Sequence, residues 1–192
     1  MSAPLTKIDV ARRQLVTAIN LLFNGNDPVS AYSLAANAWE IIDELCNRKG
    51  IESASAQTQE HLPQGKSLKR NYINSPDRNF FKHADFDPDG VLKDFDESKV
   101  DAVVFLAVED YLRLLKKSPV EFQVFQLWYL ASHPEKVAPD DLSEVISSVE
   151  HAFPDIRELS RVDRLSMARS VLDEARNDEE LMNDSRTESD NF

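Results

Sequence analysis

Apolar residues recur at intervals of three and four along most of this chain, and only four glycines interrupt it. That spacing places apolar side chains on one face of a 3.6-residue helix, whereas a strand needs alternation at every second position. Long periodic segments with few breakers therefore predict an all-α fold and not a sheet with many turns. The apolar share, 42%, is that of a globular domain, and 192 residues suffice for one sizeable core.

Ile8, Ala11, Leu15, Ala18, Ile19 and Leu22 define a first helix from about Lys7 to Asn24, stopped at Gly25. Asn26-Asp27-Pro28 starts a second, with a polar cap followed by proline in the first turn. It carries Ala31, Leu34, Ala35, Ala38, Ile41, Ile42 and Leu45 and ends at Gly50. The short link between them predicts an antiparallel hairpin. Residues 51–70 turn polar and small and read as a mobile connection with at most one helical turn.

Helical periodicity returns at Ser98, where Ser98 and Asp101 have the spacing of a capping box. Ser118-Pro119-Val120-Glu121 is a second such start, and the helix after it, to about Ser132, is apolar nearly all round. A helix without a polar face is covered by its neighbours or by a partner chain. Asp141 with Glu144, and Ser160 with Asp163, open two further helices. The expected fold is an irregular helical bundle of six or seven helices in a single domain over residues 1–176. It comprises an N-terminal hairpin at 7–50, a loop crossover at 51–97 and C-terminal helices at 98–176. Residues 177–192 lack a periodic face and are expected to form a disordered tail.

No apolar run reaches the ~18–20 residues of a membrane span, and the N-terminus has no basic segment followed by an apolar one. The expectation is a cytoplasmic protein without membrane contact. The single cysteine, Cys46, has no internal disulfide partner and falls within a helical pattern, so it reads as a packed small residue.

The formal net charge of −12 opposes nucleic acid and anionic lipid unless charge is segregated. It is segregated around Arg78-Asn79-Phe80-Phe81-Lys82-His83-Ala84-Asp85-Phe86-Asp87-Pro88-Asp89-Gly90. Lys66, Lys69, Arg70, Arg78 and Lys82 lie on one side, and Asp85, Asp87, Asp89, Asp94, Asp96, Glu97 and Asp101 on the other. Arginine and histidine five positions apart can converge on one substrate from a helix. The histidine would move a proton from a ribose 2′-hydroxyl and the arginine would stabilise charge growing on phosphate, with no metal required.

Arg78, Asn79 and His83 in this arrangement resemble the signature of the HEPN superfamily. That resemblance implies a small all-α domain acting as a metal-independent ribonuclease, with Arg78 and His83 catalytic and Asn79 in support. RNA would then be met by Lys66, Lys69, Arg70 and Lys82. The motif covers little more than six residues, and Pro76 and Asp85-Phe86-Asp87-Pro88 crowd it. The run from Leu22 to Gly50, followed by Asn79 to Asp85, is also similar to a family of uncharacterised bacterial proteins with no known activity.

A second reading of the same stretch is a calcium loop. Asp85, Asp87 and Asp89 alternate before Gly90, and Asp96 falls where the last ligand of an EF-hand-type loop belongs. The last position favours a longer glutamate, however, and no entering helix of the required spacing precedes the loop. A third reading makes these aspartates turn and cap residues, with Arg78 and His83 pairing to nearby carboxylates and Phe80 and Phe81 docking the loop. The residues favour this third reading. It implies a non-enzymatic interaction or regulatory protein that meets a protein partner, or a second copy as a dimer, through apolar helix faces.

Overall fold

The helix starts in the N-terminal half are set by side chains that satisfy the first backbone N–H groups. Thr6 and Asp9 cap each other reciprocally at the start of α1 (Lys7–Phe23), and the Asp27 carboxylate accepts from Val29 and Ser30 at the start of α2 (Pro28–Lys49). Gly50 ends α2 in the left-handed conformation expected of it, at φ 64°. The hairpin is thus formed as its spacing predicts.

The computed structural model describes residues 4–85, 87–136 and 149–188. After the hairpin come α3 (Ala54–Glu60), a π-type segment (Leu68–Arg78), α4 (Asn79–Lys82), α5 (Ser98–Leu115) and α6 (Val120–Ser132). Two further helices, α7 (Arg161–Asn177) and α8 (Glu179–Met182), follow. Seven of these segments are substantial, and the chain is an all-α bundle with a long crossover. The helix expected from Asp141 and Glu144 lies mostly outside the described residues; its far end places Val149 and Phe153 in the core. Among the described residues no helix is long and apolar enough to cross a membrane.

α2 is the hub. It packs along α1 on one side and α5 on the other, and α6 closes the far side against α1, α5 and α7. α6 is apolar all round because it is enclosed: Phe122, Phe125 and Trp128 are each no more than 2% exposed. Phe23 stacks on Phe125 and meets Trp128 edge-on, which joins α1 to α6. Each such side chain contributes about 1.5–3 kcal/mol through burial.

Four expectations change. The crossover is not a plain loop, because α3, the π-type segment and α4 occupy much of 51–97. Polar helices form there because their few apolar residues, Leu68 and Ile73, reach the core while buried polar side chains anchor the ends. The boxes expected at Ser98 and Ser118 are not made. Asp101 is turned inward to Arg161, and Ser98 instead donates its backbone N–H to Asp96 Oδ1 at 3.0 Å. Ser118 is fully buried against the C-terminal segment, while Glu121 pairs with Arg176 at 2.6 Å. Finally, structure continues past Asn177: α8 follows, and Thr187 forms a parallel bridge with Ser118. The last four residues lie outside those described.

Candidate functional site

Arg78 and His83 are close in sequence but serve different surroundings. The π-type segment bends at Ser75, whose backbone is extended (φ −115°, ψ 135°), and the turn after it carries Arg78 towards the polar side of α2. There Arg78 Nη2 lies 2.7 Å from Glu40 and donates to Asn37 Oδ1 at 2.7 Å, while Nη1 donates to Asn74 Oδ1 at 2.9 Å. Its side chain is only 7% exposed. Lys69 takes the other oxygen of Glu40. Burial alone would raise the Glu40 carboxyl, but the bonds from Lys69 and Arg78 outweigh it and hold the group below the ordinary range. Next to Arg78, Asp77 is nearly fully buried and accepts from Lys99 Nζ at 2.6 Å. Two neighbouring residues therefore clamp the crossover to two helices, one to α2 and one to α5.

His83 follows α4 with an extended backbone, and its side chain is half exposed. Its Nδ1 is 3.8 Å from Asp85. It lines an open cavity of about 500 Å³ with Asn79, Phe80, Asp85, Asp87 and Val91. Arg78 lines a different cavity, of about 670 Å³, against Lys7, Asn37, Glu40 and Lys69. Of the residues marked by the sequence, Asn79 and His83 are brought together and Arg78 is not. Phe81 docks this region as expected, with its ring centroid 5.9 Å from Tyr32 and 5.3 Å from Phe95, both edge-on.

The aspartates do not converge either. Asp85 faces His83. The Asp87 carboxylate folds back onto Gly90, against the place where any β-carbon would stand, and its carbonyl accepts from Gly90 N at 2.9 Å. Asp96 is occupied at the start of α5, and its carboxyl is lowered first by the side-chain and backbone bonds with Ser98. Asp89 is exposed. No three His, Cys, Asp or Glu side chains among the described residues are placed to hold a metal ion. Asp87 thus serves a turn and Asp96 the start of α5, while Asp85 lies beside His83 and Asp89 stands exposed.

The basic island is also redistributed. Lys69 is committed to Glu40, whereas Lys66, Arg70 and Lys82 remain exposed. Cys46 is fully buried beside Asp110, and burial pushes its thiol up to about 11, leaving no reactive thiolate near neutral pH.

No protein family, curated protein or solved structure matches this chain. Its function must therefore be argued from its own side chains.

Several residues that shape the site carry no sequence signal. Asn37 and Glu40 look like ordinary exposed positions on the polar face of α2. Asp110 sits in an amphipathic helix yet is fully buried, and it accepts from Ser55 N at 3.1 Å and Ser55 Oγ at 2.6 Å. Trp39 Nε1 in turn donates to Ser55 Oγ at 2.7 Å. This chain of bonds seats α3 on α2 and α5, and burial pushes the Asp110 carboxyl up to about 6.

Proposed function

We propose that the protein works by binding another protein and not by catalysis, and that its binding face is the exposed part of the crossover within residues 79–85 and 87–92. The observation that carries this reading is the separation of Arg78 from His83. An arginine held by Glu40, Asn37 and Asn74 is part of the frame, and its charge is already answered. A transition-state stabiliser needs its donors aimed at the place where charge develops.

Past the exposed Lys82 and His83, what the crossover presents outward is acidic and apolar: Asp85, Asp87 and Asp89 beside Phe80 and the largely exposed Val91. That combination suits a basic segment with one or two apolar anchors, since charge steers the encounter and apolar burial holds it. The face repels phosphate, which argues against RNA as the ligand there.

The ribonuclease reading makes the opposite claim, and one assay separates the two. Purified protein is incubated with mixed RNA in chelator, alongside Arg78→Ala and His83→Ala. The binding reading expects intact RNA in all three. RNA degradation by the wild type that each substitution abolishes, with helical content preserved, would overturn it. A positive test is titration with a synthetic amphipathic Lys/Leu peptide, where Val91→Ser should weaken binding about tenfold, the value of one lost apolar anchor.

A further inference from the structure

The C-terminal segment is seated by a socket far from the crossover. Glu188 is buried, although the residues before it, Asn183, Ser185 and Arg186, are exposed. Its carboxylate meets Arg12 Nη1 at 3.0 Å and accepts from the Tyr111 hydroxyl at 2.9 and 3.1 Å. Ser118 N donates to the Arg186 carbonyl and Glu188 N donates to the Ser118 carbonyl, each at 2.9 Å. Gln123 Nε2 donates to Thr187 Oγ1 at 3.0 Å. Together these bonds pin a short peptide to the turn between α5 and α6, with one carboxylate as its anchor. Backbone pairing with a side-chain pocket is a recurring way of holding a peptide ligand.

The segment also carries its own shape. Asp184 Oδ1 accepts from Arg186 N at 2.7 Å and the Asp184 carbonyl accepts from Thr187 N at 2.9 Å, so a local turn presents Thr187 and Glu188. Behind it, Asp178 is extended (φ −83°, ψ 104°) and separates α7 from α8, whose Leu181 and Met182 pack against the core. The six residues after α8, 183–188, reach roughly 20 Å when extended.

We infer that the socket formed by Arg12, Tyr111 and Ser118 is an exchange site between two copies of this chain, each able to lodge its residues 184–188 in the other. The same bonds are made in either arrangement, and what differs is only which copy supplies the peptide. Within one chain the segment is held near its socket at an effective concentration of roughly millimolar, so the closed form wins in dilute solution. Exchange therefore shows itself when one copy has a socket without a ligand and the other a ligand without a socket. This proposal is independent of the crossover face.

Arg12→Ala in the full chain removes the socket's cation and keeps the peptide, whereas Glu188→Ala keeps the socket and removes the carboxylate. Mixed in equal amounts, the two are expected to form a one-to-one dimer in analytical ultracentrifugation, about tenfold more abundant than the dimer of either variant alone. A labelled, terminally blocked peptide of residues 183–188 should bind Glu188→Ala at least tenfold more tightly than the wild type, and compete the mixed dimer apart. Tyr111→Phe, which keeps the ring packed on Phe122, provides a second weakened socket should Arg12→Ala fail to fold. Mixtures that remain monomeric while both variants melt cooperatively overturn the proposal. So does a mixed dimer that forms with Glu188 absent from both copies. Peptide binding without any mixed dimer overturns the second copy as the occupant.

Discussion

The two halves of the crossover are both rich in charge, the first basic and the second acidic, and they have opposite physical roles. In residues 68–82, Asp77 and Arg78 are drawn inward and each is answered by a partner on a different helix, while Arg70 and Lys82 stay exposed. In residues 83–97, charge stays in water, with every aspartate exposed. The contrast teaches that charged residues in a linker are not interchangeable. Where a carboxylate on a packed helix stands within reach, the charge becomes part of the frame. Elsewhere it remains surface, open to recognition by something else.

The largest effect should come from breaking the inner half. Arg78→Ala leaves Asn37 and Asn74 with a lost donor and Glu40 with Lys69 alone. Because Glu40 is partly solvated, the expected loss is about 2–3 kcal/mol, below that of a fully enclosed pair. For a chain of this length that lowers Tm by about 5–10 °C. A melt unchanged within a degree would place Arg78 among the surface residues and collapse the contrast.

Asp110 tests the same idea through pH. Burial pushes its carboxyl up to about 6, so the folded chain holds that proton more tightly than the unfolded chain does. Its contribution is full below the ordinary carboxyl value near 4 and is lost as pH rises through 6. Stability of the wild type relative to Asp110→Asn should therefore fall by on the order of 2 kcal/mol between pH 4 and 7. Denaturant titrations of both chains at several pH values measure the difference, and a flat difference would mean that Asp110 titrates like an exposed acid. The groups around it are Ser55 from α3, which lowers its value through hydrogen bonds, and Asp43 from α2, which raises it.

In the outer half, His83→Ala should change stability by less than about 0.5 kcal/mol, as expected of an exposed side chain. A loss comparable to that of Arg78→Ala would show that the two halves form one frame. The smallest expected effect is that of calcium: since the four aspartates do not converge, millimolar ion should leave Tm unmoved. A rise that saturates with concentration would mean that the loop rearranges to bind the ion.

Much of the fold was legible because helical periodicity is a local property. The α1–α2 hairpin, its caps at Asp27 and Gly50 and the apolar α6 follow from residues within four positions of one another. The crossover was less legible because its helices have little apolar periodicity. They are stabilised by bonds such as Tyr32 Oη to the Ile73 carbonyl at 2.8 Å, which span the hairpin and the crossover. Ser98 and Ser118 had the right spacing for capping boxes, but burial of Asp101 and Ser118 took those groups elsewhere. The candidate site was legible as a place but not as an arrangement. The sequence marked Arg78 and His83 and gave no sign that Asn37 and Glu40 would claim the first.

The sequence by itself determined the helical class, the hairpin, the enclosed helix and the meeting of a basic and an acidic island. Only the tertiary structure decided that Arg78 belongs to the frame while His83 faces outward, that Asp87 serves a turn and Asp96 the start of α5, and that Glu188 is an anchor. Periodicity and capping act between near neighbours. A buried charge is decided by partners brought close by folding: Asn37 is 41 positions from Arg78, and Arg12 is 176 from Glu188. Burying such charges costs several kcal/mol unless those partners are in place. That is why local pattern could place the helices but not assign the charges between them.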